Sequence, residues 1–231
     1  MTEQRDNEAS MNLAAVVLAG GESSRMDGQD KLEAVLAHRT LLQTTIDSIS
    51  SGVGALAGGA GRASIALTKV VVVGPNRKLS RDGIHLEFAR EQPPGGGPVP
   101  GIRAGLDALR QDPPDLVAIV AGDMPAAGEA LAGLAENFRF PNVYGSTALE
   151  ATVARSDGAL QPLLTVYRLD ALRRVLDGAT ALHSARSVLS QTRYQIIDVP
   201  TSVTYDVDTP ADLEAAKLAH GGSRRSRRAR H

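Results

Sequence analysis

The stretch LAAVVLAGGESSRM, residues 13–26, decides the fold: the apolar run Leu13 to Ala19 has no polar interruption and ends on Gly20-Gly21. A strand with one face in water alternates apolar and polar side chains. An unbroken run therefore predicts a strand buried on both faces, as in a parallel sheet covered by helices. Working outward, residues 40–50 place Leu41, Leu42, Thr45, Ile46 and Ile49 at the three-to-four spacing of a helix face. A second buried strand is expected from Lys69 to Gly74. Between them SSGVGALAGGAGRAS, residues 50–64, has small residues and no periodicity, and is expected to be a flexible loop.

Ile84 to Phe88 reads as a third short strand, and the turn-rich EQPPGGGPVPG, residues 91–101, leads into a helix with Ile102, Leu106 and Leu109 on one face. Asp115 to Ala121 is a further buried strand. Repetition of strand, crossover helix and strand implies right-handed parallel connections and a three-layer, Rossmann-like α/β arrangement with a mostly parallel central sheet. Ligands of such sheets collect at the carboxyl ends of the strands. Beyond residue 140 the pattern weakens to a hairpin around Ala151 to Arg155, helices near 168–177 and 183–191, and a strand near 194–199. The last helix has clear signals, with Thr209 as N-cap, Pro210 at the first position and Asp212 at the third, and should run to about Leu218.

The polar residues 1–12 are expected to be disordered, residues 13–220 to form one domain, and residues 221–231 (GGSRRSRRARH) to be a disordered basic tail. That tail holds five of the 25 basic residues and no acid, so the remaining body carries 20 basic residues against 26 acidic and is distinctly acidic. With four Tyr, three Phe and no Trp, stacking platforms for single-stranded nucleic acid are scarce, and no nucleic-acid partner is expected. Zero cysteines exclude disulfides, thiolate metal sites and a cysteine nucleophile. No apolar stretch approaches the length of a membrane span, and the N-terminus lacks the pattern of a secretory signal, so a cytoplasmic protein without a membrane partner is expected.

Gly20 and Gly21, directly after the first strand, let the backbone turn sharply and bring bare N–H groups against a phosphate chain, although a structural turn explains them equally well. Arg25 and Lys31 add a planar fork and a compact point charge, both suited to offsetting charge that builds up at phosphorus. Asp123 ends a buried strand, where a carboxylate can face the ligand crevice and hold magnesium, which takes one or two carboxylates plus phosphates and water. Asp208 is the second carboxylate in this reading and Asp206 the fallback, with helix capping as the alternative role of Asp208.

In combination, LAGGESSRM with a lysine five residues after the methionine resembles the signature of the molybdenum cofactor guanylyltransferase family. Four further stretches resemble that family in order: residues 94–106, Ala121-Gly122-Asp123-Met124-Pro125, Gln161-Pro162-Leu163, and residues 206–213. The resemblance covers roughly residues 13–218. It implies a nucleotidyltransferase fold and transfer of GMP from magnesium-GTP to molybdopterin or its molybdenum-loaded form, with pyrophosphate released. It also implies nucleotide contacts at Leu18, Ala19, Gly20, Gly21, Lys31, Asn76, Gly97, Pro98 and Asp123, with Arg25, Lys31 and Asp123 catalytic and Asp123 and Asp208 holding Mg2+. The family pattern has glycine where Asp27 stands, which alters the loop, and a monomer or weak homo-oligomer is expected. A cytidylyltransferase on the same acceptor is the nearest rival, disfavoured because Gly20-Gly21 follows Leu-Ala in the guanine manner. A catalytically silent nucleotide-binding module is disfavoured by the joint presence of Arg25, Lys31, Asp123 and Asp208.

Overall fold

The structure is a computed structural model that describes residues 10–20, 30–36, 38–56, 64–139, 148–178 and 182–218. The expectations for Gly21, Arg25, Asp27, the first nine residues and the 221–231 tail lie outside the described residues. In chain order the strands are β1 (Met11–Leu18), β2 (Val35–Leu36), β3 (Arg39–Thr40), β4 (Ile65–Val73), β5 (Leu86–Ala89), β6 (Leu116–Ala121), β7 (Ala151–Ser156), β8 (Ala159–Arg168) and β9 (Tyr194–Asp198). The helices are α1 (Leu41–Gly54), α2 (Pro98–Ala108), α3 (Ala127–Glu136), α4 (Leu169–Gly178), α5 (Ala185–Leu189), α6 (Thr201–Thr204) and α7, residues 210–218.

Seven strands form one sheet in the order β5-β4-β1-β6-β8-β7-β9, while β2 and β3 make a separate small hairpin. β5, β4, β1 and β6 are mutually parallel, as expected for β1, β4 and β6 from their continuous apolar runs. β8 runs antiparallel to both β6 and β7, and β9 returns parallel to β7. The reversal at β7–β8 has a local cause. Asp157 and Gly158 both take positive φ, 49° and 76°, the signature of a two-residue turn whose twist matches that of the strands it joins.

Leu13 to Val17 are completely buried, and the period of two divides them between two cores. Leu13, Ala15 and Val17 pack with Leu42, Ile46, Ile49 and Val53 of α1 and Leu131 and Leu134 of α3. Ala14 and Val16 face Val99, Ile102 and Leu106 of α2 and Leu172 and Val175 of α4. Each such Leu, Ile or Val contributes roughly 1.5–3 kcal/mol by leaving water. A sheet flanked by two cores is the three-layer arrangement read from the sequence.

Several boundaries differ from that reading. β1 starts at Met11, so the two residues before Leu13 pair with Ile65 and Ala66 instead of belonging to a loose terminus. α1 continues through Gly54, into the stretch read as loop, because Val53 extends the buried stripe of Ile46 and Ile49. α2 begins at Pro98, inside the segment read as turn-rich, with proline in the first turn, where its missing N–H costs nothing. α3, made mainly of small residues, was not read from the sequence, although Ala127, Ala130, Leu131 and Leu134 fall at helical spacing and anchor it in the core. The final helix follows the expected pattern. Thr209 Oγ1 accepts from the Asp212 N–H at 3.2 Å while Asp212 Oδ2 accepts from the Thr209 N–H at 2.7 Å, a reciprocal cap.

α1 and α3 cross at backbone contact. The Gly128 N–H donates to Ser48 Oγ at 3.0 Å, and a Cβ on Gly128 would lie 1.8 Å from the Ser48 carbonyl oxygen. That crossing is what brings Thr45 of α1 under the turn after β6. Gly128→Ala is therefore expected to lower stability by about 2 kcal/mol or more through forced separation of the two helices. Urea denaturation followed by far-UV circular dichroism reads this as a lower midpoint, and an unchanged midpoint would show that the helices have room to part.

Candidate active site

A cavity of about 610 Å³ opens at the carboxyl ends of β1, β4 and β6, the location such sheets use for ligands. Leu18, Gly20, Lys31, Gly97, Pro98 and Asp123 are among its lining residues, so six of the nucleotide contacts read from the sequence share one wall. Ala19 is buried instead, and presents only its carbonyl to a neighbouring side chain. Asn76 is exposed beyond β4 and does not line the cavity.

Asp123 is carried by the turn after β6. The Gly122 N–H donates to the Leu18 carbonyl at 2.9 Å, and Thr45 Oγ1, fully buried, donates to the Gly122 carbonyl at 2.9 Å. The turn is thus held by β1 on one side and by α1 on the other. Asp208 reaches the same point from the opposite end of the chain, because the Val207 N–H donates to the Asp123 carbonyl at 3.2 Å. Capping of α7 is performed by Thr209 and Asp212, and Asp212 Oδ2 also accepts from the Asp208 N–H at 3.1 Å. The Asp208 carboxylate is consequently not the cap. It faces Lys31.

Lys31 Nζ lies 2.6 Å from Asp123 Oδ2 and 2.7 Å from Asp208 Oδ1, bridging both carboxylates expected to hold metal. Burial alone would lower the Lys31 pKa, but hydrogen bonds and charge from Asp123 and Asp208 outweigh it, and the net shift is upward. Asp206 stands nearby with its side chain exposed, and its carboxyl is pushed up, first by partial loss of hydration and then by the negative charges of Asp208 and Asp123. Asp123 Oδ1 is buried and has no hydrogen-bond partner among the described residues. Two converging carboxylate oxygens, a stand-in cation between them and a further unsatisfied carboxylate oxygen are what a hard divalent cation requires of the protein when phosphates and water complete its shell. Among the described residues no set of three His, Asp or Glu is placed to hold a metal without such help.

Two residues absent from the sequence reading organise this wall. Arg77, with a side chain 6% exposed, donates from Nε and Nη2 to Asp30 Oδ2 at 3.0 and 2.6 Å and from Nη1 to the Ala19 carbonyl at 2.9 Å. Its planar fork ties the end of β1 to the residue before Lys31. Asp30 Oδ1 meanwhile accepts from the Leu32 N–H at 3.1 Å and caps the single helical turn Lys31–Glu33. Glu91, 5% exposed, accepts the Gly95 N–H on Oε1 at 3.1 Å, while its Oε2 is buried without a partner among the described residues. A Cβ on Gly20 would come 2.8 Å from Glu91 Oε1, so a side chain there would displace the Glu91 carboxylate. An acidic side chain buried in a glycine-proline stretch was the available signal, but its neighbours in sequence do not reveal the cavity it faces.

Arg155, Arg168 and Arg186, the arginines of the chain's C-terminal half that could meet an acceptor phosphate, do not line the cavity. Arg155 is forked onto Asp198 at 2.6 and 2.7 Å, Arg168 donates to the Leu149 carbonyl and sits over the Phe138 ring, and Arg186 is exposed. None of the described helices is long and apolar enough to cross a membrane.

Comparison with known proteins agrees with this architecture. Residues 15–196 match the family model described as the MobA-like NTP transferase domain. The chain is 32% identical over 168 residues, 72% of its own length and 74% of the relative's, to the molybdenum cofactor guanylyltransferase of Acidiphilium cryptum. It is 27% identical over 216 residues to the probable molybdenum cofactor guanylyltransferase of Opitutus terrae, covering 90% of this chain and 96% of that one. Among solved structures, molybdopterin-guanine dinucleotide biosynthesis protein A from Archaeoglobus fulgidus superposes with a TM-score of 0.56 at 21% identity, covering 92% of this chain and all of that chain. Rv0371c of Mycobacterium tuberculosis in complex with manganese superposes with a TM-score of 0.55 at 17% identity, covering 91% and 99%. These two likenesses are likenesses of fold. With the family model spanning most of the sheet and the cavity at its carboxyl edge, the chain belongs to the MobA-like NTP transferase family.

Proposed function

We propose that this chain transfers GMP from magnesium-GTP to the terminal phosphate of molybdopterin or of its molybdenum-loaded form, releasing pyrophosphate. The observation that carries the reading is the Asp123–Lys31–Asp208 cluster at the wall of a nucleotide-sized cavity. The relatives named as molybdenum cofactor guanylyltransferases supply the acceptor. An oxygen of the acceptor phosphate attacks the α-phosphorus, the bond from that phosphorus to the bridging oxygen of the β-phosphate breaks, and pyrophosphate leaves. A phosphate nucleophile is already anionic and requires no general base.

Asp123 and Asp208 would hold the magnesium ion, which supplies charge neutralisation at the phosphates when bound. Lys31 adds positive charge where the transferring group becomes more anionic, and Arg25, six residues earlier in the sequence, is assigned the same role. Orientation comes from the glycine backbone at Gly20 and the Pro98 end of α2, which leave room for the nucleotide between them. Residues 13–220 act in this proposal as one nucleotidyltransferase domain, since both cores are built on a single sheet.

Guanine is the base that the cavity favours. Glu91 Oε2 is a buried acceptor with no donor among the described residues, and a carboxylate beside a base complements adjacent N–H donors. Guanine offers N1–H and N2–H side by side on its pairing edge, whereas cytosine presents acceptors at O2 and N3 next to a single amino group. A carboxylate facing cytosine would meet lone pairs.

Two measurements test these assignments. Asp123→Asn keeps the shape and removes the charge, and is expected to reduce single-turnover GMP transfer at saturating GTP by about 100-fold, as loss of an electrostatic transition-state group does. Near-normal rates at ordinary magnesium would remove Asp123 as principal ligand. Glu91→Gln replaces one acceptor oxygen by an amide donor, and is expected to narrow the preference for GTP over CTP by about ten-fold or more in competition binding. Unchanged selectivity would take Glu91 out of base recognition while leaving the transfer reaction intact.

A further inference from the structure

We infer that Lys31 is the internal counter-ion of the metal site, so that the divalent cation and the nucleotide enter in mutual dependence: the phosphates draw the ammonium away and free the Asp123 and Asp208 carboxylates for the ion. The inference rests on the guanylyltransferase reading for the identity of the phosphate ligand, and on this chain's own geometry for the rest.

Oxygens of Asp123 and Asp208 lie 2.6 and 2.7 Å from one nitrogen, so both converge on a single point. An ammonium and a divalent ion cannot share that point, because space and like charge both forbid it. With the lysine in place, an incoming ion must break two short charge-assisted contacts before it gains its own. Removal of the lysine without replacement leaves two carboxylate oxygens converging on one point without the ammonium that bridged them. That acidic pair would be a stronger site for a free cation than the bridged one.

Lys31 also lines the cavity, so its ammonium has an alternative anionic partner as soon as a triphosphate is present. The required movement is confined to the four-carbon stem. Arg77 clamps Asp30 to the Ala19 carbonyl, and Asp30 caps the turn that begins at Lys31, so the backbone at Lys31 is fixed. A flexible stem on a fixed anchor moves between carboxylates and phosphates without refolding the loop. Because binding free energies are reciprocal, an ion that needs the nucleotide to displace Lys31 tightens nucleotide binding by the same factor.

The test is a titration of Mn2+ into the nucleotide-free full chain, read by electron paramagnetic resonance of the free ion, for the wild type, Lys31→Ala, Lys31→Gln, Asp123→Asn and the double variant Lys31→Ala with Asp123→Asn. Circular dichroism establishes that each variant is folded, and Lys31→Gln keeps the packing of the stem where alanine disturbs it. Both Lys31 single variants are expected to bind Mn2+ about ten-fold or more tightly than the wild type, with the gain lost in the double variant. Unchanged or weaker binding in Lys31→Gln overturns the counter-ion role alone, provided Asp123→Asn weakens what the wild type binds. Tight binding that survives Asp123→Asn in the double variant places the ion elsewhere, and overturns both this inference and the metal assignment in the proposed reaction.

Discussion

Two carboxylates that converge on one point repel each other, a cation between them offsets that repulsion, and the site is arranged around this constraint. Asp123 comes from the end of β6 and Asp208 from the entry to α7, separated by 85 positions of the sequence. Lys31 comes from a third place, the turn after the glycine-rich loop, and lies within 2.7 Å of both. The ammonium offsets their repulsion, and the same three groups supply the charges that a triphosphate and a hard ion require. Stability of the apo site and affinity for the ligands are therefore governed by one electrostatic balance.

That balance is useful only if the charges are held where they are, and the holding is done by polar contacts with buried partners. Thr45 reaches from α1 to the Gly122 carbonyl, and the Val207 N–H reaches from the last loop to the Asp123 carbonyl. Arg77 does the same for Lys31 by way of Asp30. Each of these contacts satisfies a backbone or side-chain group that would otherwise be costly to leave unpaired in the interior. Packing of α1 on α3 through Gly128 then fixes the helix on which Thr45 stands.

The part of the lining around Glu91 follows a different rule. Glu91 is buried with one oxygen satisfied by the Gly95 N–H and the other left open among the described residues, a state that native interiors rarely tolerate without purpose. Its position against Gly20 links the first glycine segment to the second. In the proposed reaction, phosphate chemistry at one end and base recognition at the other would be joined through two short glycine stretches.

Much of the scaffold was legible in the residue order. Continuous apolar runs marked β1, β4 and β6 as doubly buried strands because burial on two faces leaves no polar position, and Thr209-Pro210 with Asp212 marked the start of α7 because those residues satisfy orphan N–H groups locally. Lys31, Asp123 and Asp208 were legible as charged groups beside strand ends. The small-residue helix α3, the last turn of α1 and the start of α2 were not, since glycine, alanine and proline carry little periodic signal and tertiary packing decided them. Asn76 was read as the contact after β4, yet it is the neighbouring Arg77 that turns inward, and Glu91 carried no mark of its cavity at all. The sequence by itself determined the three-layer sheet and the kinds of charge available, because burial and capping are properties of near neighbours along the chain. Only the tertiary structure decided that Asp208 faces Lys31 instead of capping its helix and that Arg77 and Glu91 belong to the site, because those roles depend on partners brought close by the crossovers of the sheet.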